Sequence, residues 1–167
     1  LAAAPSDPAT VKRGAGVRFA ATVRGDNNLK SAFADKPCVA YWTRLEEVSK
    51  RGDGEGGSET HWVKVLERKH GPTELVLEVG DWTVEVPLAL WKKRRGGIVN
   101  KRVEELPKRL GLPAPDPKDN VVGYDVHEVA LSRGDKVFVA GMANHISSKH
   151  KSITLDHDSR LAHSLEL

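Results

Sequence analysis

Residues 75–86 read Leu75-Val76-Leu77-Glu78-Val79-Gly80-Asp81-Trp82-Thr83-Val84-Glu85-Val86. Two runs rich in β-branched and large apolar residues flank a Gly-Asp pair, which is the pattern of two antiparallel strands joined by a tight turn. Each run alternates, so each strand carries one side fit for a core. Pro87 closes the second run, because a proline cannot donate to a central ladder.

The same alternation recurs outward in both directions. Residues 16–24 place Val17, Phe19, Ala21 and Val23 on one face, and Gly25-Asp26-Asn27-Asn28 turns the chain. Residues 37–49 form a long strand, with Val39, Tyr41, Thr43, Leu45 and Glu47 on one side and Cys38, Ala40, Trp42 and Arg44 on the other. It is apolar on both faces at its start and on one face later, so its burial should fall along its length. Residues 50–60, with Gly52, Gly54, Gly56 and Gly57, read as a flexible hairpin loop before the strand at 61–68. Strands return at 124–131 and 136–140, separated by Ser132-Arg133-Gly134-Asp135, and again at 152–155.

Helices are few. Val103, Leu106 and Leu110 at helical spacing, with Gly111 after them, predict a helix over 99–111, which Pro107 divides into two short pieces. Asp156 or Asp158 would cap a last helix from about Ser159, with Leu161, Ala162 and Leu165 on one face. Residues 1–13 read as a loose lead-in, residues 14–155 as the domain, and residues 156–167 as a C-terminal helix leading to a removed membrane segment. The expected class is mainly β, a β-dominated α+β fold. It should be a barrel- or sandwich-like sheet of about eight strands with one or two short helices.

A chain of 167 residues suits one domain. Its 26 basic and 23 acidic residues leave a formal charge of +3, too even a balance to call for nucleic acid. The single cysteine, Cys38, excludes an internal disulfide and an all-cysteine zinc site, and in an apolar strand it reads as a small buried residue. No run approaches the ~20 apolar residues that cross a bilayer. The opening Leu1-Ala2-Ala3-Ala4-Pro5 reads as the edge of a longer protein, such as the tail of a removed signal or of a membrane segment.

Catalytic patterns are missing from the sequence. His145, His150, His157 and His163 gather near Asp156 and Asp158, yet none has the i, i+4 spacing of a helical zinc motif. The glycines at 52–57 and 96–97 do not form a phosphate cradle at a strand-to-helix junction, and no serine sits in a nucleophile elbow. Glu46 and Glu47 are adjacent in a strand and point to opposite faces. The four tryptophans, Trp42, Trp62, Trp82 and Trp91, are expected to pack in the core and across strands. The reading is therefore a non-catalytic binding or sensing domain with no metal and no cofactor. Candidate contact residues are Arg51, Asp53 and Glu55 in the loop and the basic run Lys92-Lys93-Arg94-Arg95, which could meet phosphate or an anionic membrane surface. The alternatives are a metal-dependent enzyme using the C-terminal His and Asp residues, or an oligonucleotide-binding barrel.

Residues 31–41, Ser31-Ala32-Phe33-Ala34-Asp35-Lys36-Pro37-Cys38-Val39-Ala40-Tyr41, with Leu45-Glu46-Glu47 beyond, resemble a segment of GIDE-type membrane proteins. These are relatives of a mitochondrial membrane E3 ubiquitin ligase whose non-RING part is called the BAM (beside a membrane) domain. Residues 16–24 resemble that domain's opening strand, and Trp62 with 75–78 its central hairpin. Residues 124–141, with Glu128, Gly134-Asp135 and Gly141, resemble its closing element, and 153–156 the step before its second membrane helix. The likeness covers about residues 14–165, and its motif positions are Lys36, Pro37, Cys38, Glu128, Gly134, Asp135 and Gly141. Ala32 departs from the family's proline, and Gly80-Asp81-Trp82 stands where the family has an acidic-glycine turn. No RING is present and one cysteine cannot ligate its two zinc ions, so ligase activity does not carry over. The resemblance implies an ectodomain held between two membrane helices, facing away from the cytosol, that recognises or regulates a protein partner.

Overall fold

The computed structural model describes residues 4–88, 98–99, 105–156 and 160–163. Twelve strands carry these residues: β1 (Gly16–Val23), β2 (Leu29–Lys30), β3 (Pro37–Cys38), β4 (Ala40–Gly52), β5 (Ser58–His70), β6 (Glu74–Val79), β7 (Trp82–Pro87), β8 (Ile98–Val99), β9 (Val121–Leu131), β10 (Lys136–Ser147), β11 (Ser152–Leu155) and β12 (Arg160–His163). The class is mainly β, as the alternating runs predict.

Five strands close into a barrel in the order β1-β6-β7-β11-β10, with β10 pairing back onto β1. Counting only these strands in chain order, the ring runs 1-2-3-5-4, with the third and fifth parallel and the rest antiparallel. That is the Greek-key order of the OB-type barrel. The inward residues are those that the alternation selects. Val17, Phe19, Ala21 and Val23 from β1, Leu75 and Leu77 from β6, Val84 and Val86 from β7, Val137 and Val139 from β10, and Ile153 and Leu155 from β11 share one core. The β6–β7 turn is the two-residue hairpin read from the sequence, and Gly80 takes φ +62°. A positive φ with glycine at the first central position is what a type II′ hairpin needs.

The two long connections of the barrel build a second sheet, ordered β5-β4-β9-β8. Where β4 and β9 leave the barrel, Ala40, Val129 and Leu131 still face the barrel core, with Trp42 packed against it. On the opposite face Leu45, Tyr124 and Val126 form a second core under Leu110, which follows the short helix α1 (Glu105–Arg109).

Four expectations change. The C-terminal helix predicted from Ser159 is replaced over Arg160–His163 by a strand that pairs with Val137, Phe138, Val139 and Ala140 of β10. That stretch of β10 lies past the end of β11, and the backbone bonds it offers outweigh the local helical spacing. Of the helix over 99–111, Glu105–Arg109 is helical around Pro107, residues 100–104 lie outside the described residues, and Ile98–Val99 pairs with β9 instead. The loop at 50–60 is mostly strand, because β4 runs to Gly52 and β5 begins at Ser58. The lead-in is tied down where described: Ser6 exchanges backbone and side-chain bonds with Arg18, and Val11 packs on the barrel core.

Candidate interaction surface

Four of the motif positions, Lys36, Pro37, Cys38 and Glu128, lie at one joint between barrel and second sheet. Glu128, on the α1-facing side of β9, accepts hydrogen bonds from the Phe33 amide at 2.7 Å, the Ala34 amide at 2.9 Å and the Thr43 hydroxyl at 2.6 Å. One carboxylate thus anchors the loop before β3. Ser31 closes that loop by accepting from the Lys36 amide at 3.0 Å, and β3 pairs Pro37 with Lys30 and Cys38 with Leu29. Arg109 of α1 adds an ion pair to Asp35 at 2.6 Å and lies 5.4 Å from the Phe33 ring centre. The loop therefore clamps α1 over the second core.

Cys38 is fully buried at this joint, and burial pushes its thiol pKa up, with Glu128 adding in the same direction. A neutral buried thiol is a poor nucleophile. Gly134, at φ +87°, donates to Val23 O at 2.9 Å. Asp135 caps the same turn by accepting from the Ser132 amide at 2.8 Å, and Gly141 pairs with Val17. Cys38, Glu128, Gly134 and Asp135 thus hold the joint and the turn together, while Lys36 and Pro37 are exposed.

The hairpin tip is also more ordered than a glycine-rich loop suggests. Asp53 Oδ1 accepts from the Glu55 and Gly57 amides at 2.9 and 2.8 Å, so its carboxylate is turned inward. A Cβ at Gly57 would meet that carboxylate, so a larger residue there would push the Asp53 side chain off its two amides. Arg51 and Glu55 remain exposed. Lys92, Lys93, Arg94 and Arg95 lie outside the described residues, as do Trp91, His157 and Asp158. Among the described residues no group of three or more His, Cys, Asp and Glu could hold a metal ion, and no helix is long and apolar enough to cross a membrane.

The surface that sequence reasoning missed is the face of the second sheet beyond the barrel. The register lines up Trp42 with Lys69 and Val129, then Arg44 with Glu67 and His127, Glu46 with Lys64 and Asp125, and Val48 with Trp62 and Gly123. Each row shares a face. Trp42 Nε1 donates to Glu67 at 2.9 Å, and Lys64 Nζ reaches the other oxygen of Glu67 at 3.0 Å. Those two donors, Lys64 first, hold the Glu67 pKa below the usual carboxylate range. Arg44 pairs with Glu46, and His127 Nε2 lies 3.8 Å from the second oxygen of Glu46. The central charges are spent on one another.

Trp62 stands apart. It is 57% exposed, against the expectation that it packs in a core, and its Nε1 donates to Asp125 at 3.0 Å. Two bulges flank it: the pairing skips Val65 on β5 and Val122 on β9, and both valines are exposed. Val122 also borders an open groove of about 510 Å³ with Lys50, Pro115, Pro117 and Asn120. The exposure of Trp62 leaves no local mark in the sequence, because what lies opposite it, Val48 on β4, is set by the fold. No family model, no curated protein and no solved structure matches this chain.

Proposed function

We propose that this chain is a non-catalytic binding domain that captures a protein partner on the outer end of the β4–β5 hairpin, with Trp62 as the anchor. The observation that carries the reading is Trp62 itself: a large indole, 57% exposed, whose only polar atom is already held by Asp125. A rigid aromatic with its polar atom satisfied is the side chain that most often dominates a protein interface. Val65 and Val122 widen the apolar area, and Arg51 and Glu55 supply a charged rim at the tip of the same hairpin. The motif resemblance supports a setting for this surface: a domain held at a membrane on its extracytoplasmic side, with the joint at Glu128 keeping the sheet fixed to the barrel.

A photo-crosslinking residue placed at Val122, with Trp62 intact, and separately at Glu78 on the barrel as a control, tests the site in cells that express the chain. A discrete adduct from position 122 that position 78 does not give is the expected result. Equal adducts from both positions, or none from position 122, would reject this surface.

One observation favours a second reading. The barrel's strand order is that of folds that bind single-stranded nucleic acids and oligosaccharides on their second and third strands. Here those strands are β6 and β7, and they carry Glu74, Glu78 and Glu85 with no Lys or Arg. An acidic face opposes a phosphate backbone, so the protein-binding reading stands first. Salt-sensitive retention on immobilised single strands would reverse that order.

A further inference from the structure

The barrel is electrically two-sided. In contrast to the acidic β6–β7 wall, strands β1, β10, β11 and β12 contain no Asp or Glu. With Val17, Phe19, Val137 and Val139 turned into the core, strand alternation turns Arg18, Ala20, Lys136, Phe138 and Met142 outward. The Arg18 guanidinium lies 5.3 Å from the centre of the Phe138 ring, and Lys136 Nζ donates to Thr22 at 2.7 Å. Both cations are thereby held along the wall. Met142 is 46% exposed. Lys12 and Arg13 are exposed beside it, because the Gly14 amide bonds to Ala143 O. No carboxylate lies within these strands; among the described residues, carboxylates border the wall at Asp7, next to the Ser6 that bonds to Arg18, at Glu78, paired with Thr22, at Asp135 in the turn before β10, and at Asp156, whose amide bonds to Met142 O.

We propose that the β1–β10 wall docks onto the surface of an anionic lipid bilayer. Arg18, Lys136, Lys12 and Arg13 would meet headgroup phosphates, and the Met142 side chain with Ala20 would enter the interfacial layer. The charge is complementary on this wall and repulsive on the β6–β7 wall, so the contact also orients the domain. A nucleic acid fits the wall less well. Phe138 is the one aromatic ring among its described side chains, and Arg18 already lies over it, which leaves no platform for stacking a base. This surface is separate from the Trp62 rim, so either reading can fail without the other.

Sedimentation of the purified chain with phosphatidylcholine vesicles, with and without about a third phosphatidylserine, tests it. Binding should require phosphatidylserine and weaken at high salt. Each cation near such a surface is worth about fivefold in affinity, so replacing both Arg18 and Lys136 by Gln should weaken binding roughly 25-fold. Lys12→Gln with Arg13→Gln, outside the strands, should give a similar loss without touching the barrel. Lys64→Gln on the second sheet, with Lys118→Gln in the turn before β9, should change nothing. No binding to phosphatidylserine vesicles would overturn the proposal. So would binding that survives both wall pairs yet disappears when Lys92, Lys93, Arg94 and Arg95 are neutralised. Full competition by a single-stranded oligonucleotide tighter than the vesicles would transfer the wall to nucleic acid and overturn it as well.

Discussion

Strands β1 and β5 start from similar material and end in opposite states. β1 alternates and buries Val17, Phe19, Ala21 and Val23 at 6% exposure or less. β5 is longer, carries Trp62, Val63, Val65 and Leu66, and buries no residue fully. The difference lies in what stands opposite. β1 is one stave of a closed barrel, so its inner face meets four other strands. β5 has β4 on one side and no strand on the other among the described residues. Alternation makes a strand, but only a covering layer makes a core.

The largest effect that tests this contrast comes from the barrel. Phe19→Ala removes a side chain with no exposure from the shared core and should cost about 3–5 kcal/mol. Val63→Ala, at 51% exposure on β5, should stay within about 0.5 kcal/mol. Urea denaturation of the two variants measures both. Comparable losses would mean that β5 is covered by a layer outside the described residues.

Next comes the joint between the regions. Glu128→Ala strips the Phe33 and Ala34 amides and the Thr43 hydroxyl of their acceptor and should cost about 3 kcal/mol. Hydrogen exchange should speed up first at Phe33 and Ala34, while the barrel amides of β6 and β7 keep their protection. Uniform loss of protection would show that barrel and sheet unfold as one unit.

A smaller effect follows from acid. The Glu67 pKa is lowered in the folded protein, so its ionised form contributes stability above the unfolded value near 4.5. That contribution fades as pH falls through the lower folded value, because protonation breaks the bonds from Lys64 and Trp42. Its size is modest, since the side chain is 35% exposed and screened by water. Trp42 fluorescence in a variant lacking Trp62, Trp82 and Trp91 should shift in this acid window. Glu67→Gln should abolish the shift.

A small effect on stability, and the largest on binding, is expected at Trp62. Trp62→Ala removes an exposed indole and should cost less than about 1 kcal/mol. It should nonetheless eliminate crosslinking from a probe placed at the neighbouring Val122. A loss of several kcal/mol in stability would place Trp62 in the architecture and not in an interface.

Much of this was written into local residue order. The β6–β7 hairpin, the inward faces of β1 and β7, the turn at Gly134-Asp135 and the fall in burial along β4 follow from alternation and turn chemistry between residues close in sequence. Those forces act within a few residues, so one sequence displays them. The closure of β1 onto β10, the strand at Arg160–His163, the three donors on Glu128 and the exposure of Trp62 were decided by segments that meet only in the folded chain. A strand's unpaired edge, or a carboxylate's distant partners, leave no local mark. Pairing and burial are properties of what arrives from elsewhere, and that is why the fold class was legible from the sequence while the surface available to a partner was not.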